Sequence, residues 1–205
     1  MELMEAIRGR RSIRKFKSQS VEEEKLARIL EAAHAAPSAS NYTYWHFIVV
    51  KDMGKKQKFS ECFYKEVMKY KKTLNQTWQE RLKNFSTDFV VNAPLLIVVC
   101  ADPDKTKPGE PGHGQHILST CAAIENLMLA AYGEGLGSVW ITRYNKSEVR
   151  SLFNIPSKVV PLGVLPVGYP DQILEKSAFA AAGFVPDEPL SEHVFMEEWG
   201  QYRGL

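Results

Sequence analysis

Within residues 10–14 of this 205-residue chain lie Arg10, Arg11, Ser12 and Arg14. On an extended segment that spacing gathers cationic forks and one hydroxyl on a single side. Such a set suits a phosphate carrying a planar, anion-forming head. A terminal phosphate needs more than one donor, and Arg10 offers a bidentate fork. Arg14, a permanently charged guanidinium, suits negative charge on a heterocycle edge. A solvated basic turn is the plainer alternative for this cluster taken alone, so the rest of the chain decides.

Other polar groups lead less far. His113 and His116 flank a glycine and a glutamine, but no cysteine or carboxylate stands beside them, and no metal site is expected. Ser38 and Ser40 lack a Gly-x-Ser-x-Gly elbow, so a serine nucleophile is not expected. Gly133, Gly135 and Gly137 follow a helical pattern rather than a strand, which excludes a dinucleotide loop. Cys62, Cys100 and Cys121 form no C-x-x-C pair. They imply neither a disulfide framework nor a zinc knuckle.

The elements that must position these groups alternate. Residues 1–9 read as a short helix delivering the arginines. Ser20 and Glu23 have capping-box spacing, ahead of a helix carrying Leu26, Ile29, Leu30 and Ala33 and ending before Pro37. Residues 45–51 and 95–100 read as strands buried on both faces. Between them, residues 54–92 read as an amphipathic helical excursion, outside the core framework, with Phe59, Phe63, Val67, Tyr70, Leu74 and Trp78 on one face. Its lysines are read as a solvated face rather than a membrane or partner surface. A long helix with Ile117, Cys121, Ile124, Met128 and Ala131 on one stripe, broadened by Leu118, Leu127 and Leu129, is expected to be buried on most sides. Residues 139–141 and 159–169 read as short strands around a small helix near 147–153. From residue 170 the chain reads as an arm.

Helices interleaved with strands predict an α+β fold: a three-layer α/β/α sandwich with a mixed sheet, in one domain over 1–205. Twenty-six basic against 24 acidic residues give a formal net charge of +2, too balanced to indicate nucleic acid or a membrane surface. The acidic start without an apolar run predicts no secretory signal or membrane span, and a cytoplasmic address.

Four stretches together resemble the FMN-dependent nitroreductase family: Arg10–Phe16, Ala36–Asn41 with Trp45–Phe47, Gly135–Ile141 and Val167–Pro170. The resemblance implies a nitroreductase-like homodimer with FMN in a groove between subunits. Electrons would pass from NADH or NADPH to a small electron-poor acceptor, such as a nitroaromatic or quinone, by a ping-pong route. It implies that Arg10, Arg11, Ser12 and Arg14 hold the phosphate, ribityl chain and pyrimidine edge. Pro37, Ser38, Ala39 and Asn41 would reach the flavin of the other subunit. The backbone of Trp140, Ile141, Thr142 and Arg143 would run past its dimethylbenzene-to-N5 region. A specialised flavin enzyme for one defined molecule and a non-catalytic flavin-binding module are the alternatives.

Three departures from the family pattern stand out. Thr43-Tyr44 replaces a Gln-Pro pair, so a phenol could narrow the pocket or stack on a ligand. Arg143 stands where relatives carry glycine or an acidic residue followed by glycine, and with Tyr44 is a candidate selector. Residues 179–184 carry no basic pair, and Lys176 is the nearest cation.

Overall fold

The computed structural model describes residues 2–105, 114–171 and 190–200. The chain divides into two compact units, Met1–Gln172 and Ile173–Leu205. The stretch at 179–184 expected to lack a basic pair, Lys176 and His113 lie outside the described residues.

The first unit is built on a four-stranded sheet of order β1-β2-β4-β3, from β1 (Trp45–Val50), β2 (Leu95–Ala101), β3 (Gly137–Ser138) and β4 (Val160–Gly168). All three ladders are antiparallel. Among the described residues the sheet is therefore antiparallel rather than mixed as expected; the one parallel pairing at its β3 edge is an isolated bridge between Ser12 and Ser138. β2 sits centrally with all seven residues buried, as its unbroken apolar run predicts. β1 is different. Among the described residues it pairs with β2 alone, and His46 and Val49 are exposed. The expectation of a strand buried on both faces is therefore wrong for β1, because an apolar run does not reveal which strand takes the edge. The third predicted strand also moves: β3 is Gly137–Ser138, and Ile141 joins the sheet only through a bridge to Val164.

Helices cover both faces. Leu95, Ile97, Val99, Leu165 and Val167 share one core with α2 (Glu23–His34) and α6 (Gln115–Gly133), which contribute Leu26, Ile29, Ala33, Ile124, Leu127 and Ala131. The alternate residues of β2 (Leu96, Val98 and Cys100) point the other way and are equally buried. On that side α7 (Lys146–Phe153) packs on β4, and α3 (Met53–Lys71) packs on α7 and α5 (Asp88–Asn92). The rings of Phe59, Phe63, Phe89 and Tyr144 meet edge-on or stacked there.

Three local expectations are corrected. Glu22, not Ser20, caps α2, with no side-chain cap bond; buried Val21 and Leu26 belong to one core, in the positions of a hydrophobic staple. The Glu22 carboxylate instead accepts from the Tyr169 hydroxyl at 2.6 Å. The helical excursion is core framework in its first half. Phe59, Phe63 and Val67 are buried, and even the Lys56 ammonium is inside, donating to the Ala93 carbonyl at 2.8 Å. On α6, Leu118 is 69% exposed, so that helix is open at its first turn. The end of α6 follows the glycine pattern closely. Gly135 takes φ +75°, Leu136 N–H donates to Ala131 O, and Gly135 N–H to Tyr132 O, a Schellman closure.

In the second unit, residues 190–200 contain a 3-10 turn at Leu190–Glu192, and the ring of Phe195 lies 4.6 Å from that of Trp199.

Candidate functional site

The arginine segment is stapled to the sheet edge. α1 (Leu3–Gly9) ends where Arg10 N–H donates to Ala6 O at 2.9 Å. Ile13 N–H then donates to Ser138 O at 3.0 Å, and Lys17 N–H to Tyr169 O at 2.9 Å. Ile13 and Phe16 turn inward and are buried, so Ser12 and Arg14 turn outward and are exposed. Two glycines allow this approach. A Cβ at Gly137 would lie 2.5 Å from Ile13 Cγ1; one at Gly168 would meet Pro94 Cδ at 2.4 Å first, with the Phe16 ring next at 3.3 Å.

The four polar side chains are not equivalent. Arg10 Nε stands 3.6 Å from a Glu125 carboxylate oxygen of α6. Arg11 donates to the Arg8 and Arg10 carbonyls at 2.6 and 2.8 Å, closing the C-terminus of α1. Arg14 reaches back to Ser12 O at 3.5 Å. Its guanidinium pKa is lowered by desolvation, although the side chain keeps an exposed edge. A bound anion would offset that desolvation. This donor set, a hydroxyl beside a guanidinium on a rigid backbone, fits a phosphorylated flavin.

The loop after α2 is held differently. Ala39 N–H donates to Ser119 Oγ of α6 at 3.2 Å. Ser40 and Asn41 take φ of +54° and +57° in succession. Each left-handed non-glycine residue costs on the order of 1 kcal/mol, and such strain collects at functional sites. Pro37 and Asn41 are exposed, while Ser38 and Ala39 are half-buried. Ser119 and Glu125 mark where the loop and Arg10 touch α6. Six residues apart, they differ by about 9 Å along the axis and a third of a turn around it. Within this chain, α6 therefore presents the two groups on different sides.

Trp140 and Ile141 are fixed by an irregularity in β4. The register between β2 and β4 slips between Val99 and Cys100, leaving Leu162 as the extra residue. Trp140 Nε1 donates to Leu162 O at 3.4 Å, and its ring occupies the space a side chain at Gly163 would need. Ile141 exchanges two 3.0 Å hydrogen bonds with Val164. Thr142 and Arg143 follow, both exposed. The Arg143 guanidinium lies 3.5 Å from the centroid of Tyr70.

Tyr44 is fully buried, with its ring 5.9 Å from Tyr42, so the expected selector role is withdrawn. Trp45 is core, as expected, with Nε1 donating to His34 Nδ1 at 3.3 Å. The sequence reading missed one feature. Val67, Tyr70, Leu74, Trp78, Leu82 and Arg143 line a cavity of about 420 Å³. Its signal was present in the apolar stripe of the excursion, which continues past the last residue that the sheet can cover. Among the described residues, no group of three or more His, Cys, Asp or Glu is placed to hold a metal, and no helix is long and apolar enough to cross a membrane.

The fold is thus a three-layer sandwich with its arginine segment stapled to one sheet edge. The chain belongs to the nitroreductase family, whose model matches residues 7–169. It is 35% identical over 203 residues to a protein of Archaeoglobus fulgidus provisionally named NADH dehydrogenase/NAD(P)H nitroreductase, covering 97% of this chain and 99% of the relative. Among solved structures, an FMN-dependent nitroreductase of Clostridium difficile superimposes with a TM-score of 0.71 at 28% identity, over 96% of this chain and 99% of that one. An oxidized iodotyrosine deiodinase bound to FMN and 3-iodo-L-tyrosine gives a TM-score of 0.74 at 30% identity, over 85% and 93%.

Proposed function

We propose that the protein is an FMN-dependent oxidoreductase that takes electrons from NADH or NADPH and passes them, ping-pong, to an electron-poor acceptor such as a nitroaromatic or quinone. The observation that carries this reading is the stapled segment: buried Ile13 and Phe16 force Ser12 and Arg14 outward on a backbone held to Ser138 and Tyr169. Bound there, FMN would supply the redox chemistry. Arg10, Arg11 and Ser12 would hold its phosphate and ribityl chain, and Arg14 would offset negative charge at the pyrimidine edge. Backbone from Trp140 to Arg143, rigid through the Ile141–Val164 pairing, would flank the flavin.

Residues Pro37, Ser38, Ala39 and Asn41 are read as serving the flavin of a second copy, in a homodimer whose domain spans 1–205 with an arm from 170. Two observations support the dimer. α6 places the arginine segment and this loop on different sides, and Leu3, Met4 and Ile7 of α1 leave apolar surface exposed for a partner to bury.

The absorption spectrum of the purified protein tests the cofactor. Flavin bands, present as isolated or after adding FMN, are expected; their absence in both cases refutes the reading. Anaerobic bleaching by NADH or NADPH tests catalysis, and persistent colour would favour a non-catalytic flavin-binding module. A second reading, a flavin enzyme specialised for one molecule, is favoured by the iodotyrosine deiodinase likeness. Inertness toward a panel of unrelated nitro compounds would select it.

A further inference from the structure

We infer that the cavity beside Arg143 binds a small aromatic carboxylate, so that the acceptor is an electron-poor aromatic acid rather than a neutral ring. The inference rests on the reading of residues 140–143 as flanking the flavin, since Arg143 ends that stretch and lines the cavity.

The chemistry of the lining selects the ligand. Val67, Leu74 and Leu82 supply apolar wall, and Tyr70 and Trp78 supply two aromatic rings that are 39% and 38% exposed. Arg143 is the charged member of the lining, which includes no carboxylate. About 420 Å³ falls within the range of small-molecule sites and accommodates a substituted ring. An apolar slot with one cation at its rim matches an amphipathic anion: ring inside, negative group at the edge.

The position of Arg143 sharpens this. Its guanidinium lies over the Tyr70 ring at 3.5 Å, which occupies one π face. The N–H donors lie in the guanidinium plane, so stacking leaves a fork directed sideways, the geometry a carboxylate takes bidentately. Tyr70 thus fixes the orientation of the fork while forming wall itself. The second exposed ring is treated in the same way: the Arg81 guanidinium sits 5.3 Å from Trp78, adding positive potential at the same rim. The junction between α3 and α4 (Gln76–Arg81) that carries these rings is tied together, with Lys71 donating to Leu82 O and Gln79 to Leu74 O.

Calorimetric titration of the protein as purified, with 4-nitrobenzoate and the isosteric neutral 4-nitrobenzamide, tests this without electron donor. The wild type is expected to bind the acid about tenfold or more tightly than the amide, the scale of one charge-assisted hydrogen-bonded pair. In Arg143→Gln that ratio should fall to near one, and Arg143→Lys should restore only part of it. Leu74→Trp, which fills the cavity without touching the charge, should weaken both ligands. Equal affinity in the wild type, no binding of either compound, or a preference that survives Arg143→Gln would overturn the inference. A colourless protein that takes up no FMN yet prefers the acid would refute the oxidoreductase reading, and the acceptor role with it, while leaving the carboxylate site standing. A yellow protein indifferent to the carboxylate would refute this inference alone.

Discussion

Replacing Gly137 by alanine should loosen the arginine segment without touching any of its polar groups. The new Cβ would stand 2.5 Å from Ile13 Cγ1 and 2.8 Å from Ile13 Cβ. Carbon atoms rest near 3.5–4.0 Å, so the Ile13 side chain must retreat by about 1 Å. Ile13 is only 8% exposed and its own N–H is bonded to Ser138 O, one residue from the substitution. The retreat therefore strains the Ser12–Ser138 bridge or overpacks the sheet edge. Overpacking of this kind costs typically about 1–3 kcal/mol. If the segment yields, the same energy appears as weaker FMN binding, about 5- to 150-fold in Kd; if it holds, it appears as lost stability. Fluorescence titration with FMN and urea unfolding of the same sample measure the two together. Gly133→Ala is the control, because a Cβ there meets nothing within 4 Å and the residue is helical; it should be neutral or stabilising by up to about 1 kcal/mol. Wild-type FMN affinity combined with wild-type stability in Gly137→Ala would refute the idea that Ile13 anchors the site.

Two further outcomes follow from burial. Burial pushes the Cys62 and Cys100 thiols from 9.0 up to about 11 and raises the Tyr144 hydroxyl as well. The unfolded chain therefore loses these protons first, and the contribution of these three groups to stability should be steady well below pH 9 and then fall through pH 9–11. Each thiol contributes about 1 kcal/mol of that loss by pH 10. Urea midpoints across this window check it, and Cys100→Ala should flatten the slope; an unchanged slope would contradict it. Lys56→Ala should cost about 1–3 kcal/mol by stranding the Ala93 carbonyl. The buried lysine also has its pKa lowered by desolvation, so in the wild type it opposes the alkaline decline: as pH rises toward 10.5 the unfolded chain holds the extra proton. The variant should accordingly decline more steeply between pH 9 and 10.5, which the same urea series reads.

Much of this was legible locally. The seven-residue apolar run of β2, the Gly133–Gly135 closure of α6 and the alternation of Ile13 with outward polar neighbours each follow from short-range rules. What escaped depends on partners distant in sequence. β1 and β2 have similar composition, yet only topology decides that β1 takes an edge. Ser20 and Glu23 have capping spacing, but Val21 is drawn into a core shared with β2 and β4, and the cap moves to Glu22. Tyr44 is likewise hidden by distant partners: its side chain is fully buried, and its carbonyl accepts from Asp102 N–H at 2.7 Å just before β1. Of the two successive left-handed residues, Asn41 carries a weak signal because asparagine tolerates that region, whereas Ser40 carries none.

With the cavity as the inferred ligand site, the excursion would let substrate preference change without loss of the fold. α3 begins as core: Phe59, Phe63 and Val67 are buried against the layer that packs on β4. One turn later the same helix presents Tyr70, and the chain beyond it supplies Leu74, Trp78 and Leu82 to the cavity. The helix is thus fixed at its start and free to vary at its end. Opposite it, Arg143 leaves a loop that is clamped by the Ile141–Val164 pairing and by Trp140 seated at the β4 irregularity. A rigid loop facing a helix end that contributes little to the core separates selectivity from stability. Substitutions at Leu74, Trp78 or Leu82 should therefore alter ligand preference at costs below about 1 kcal/mol, whereas the equivalent change at Phe59, in the same excursion, should cost about 3–5 kcal/mol.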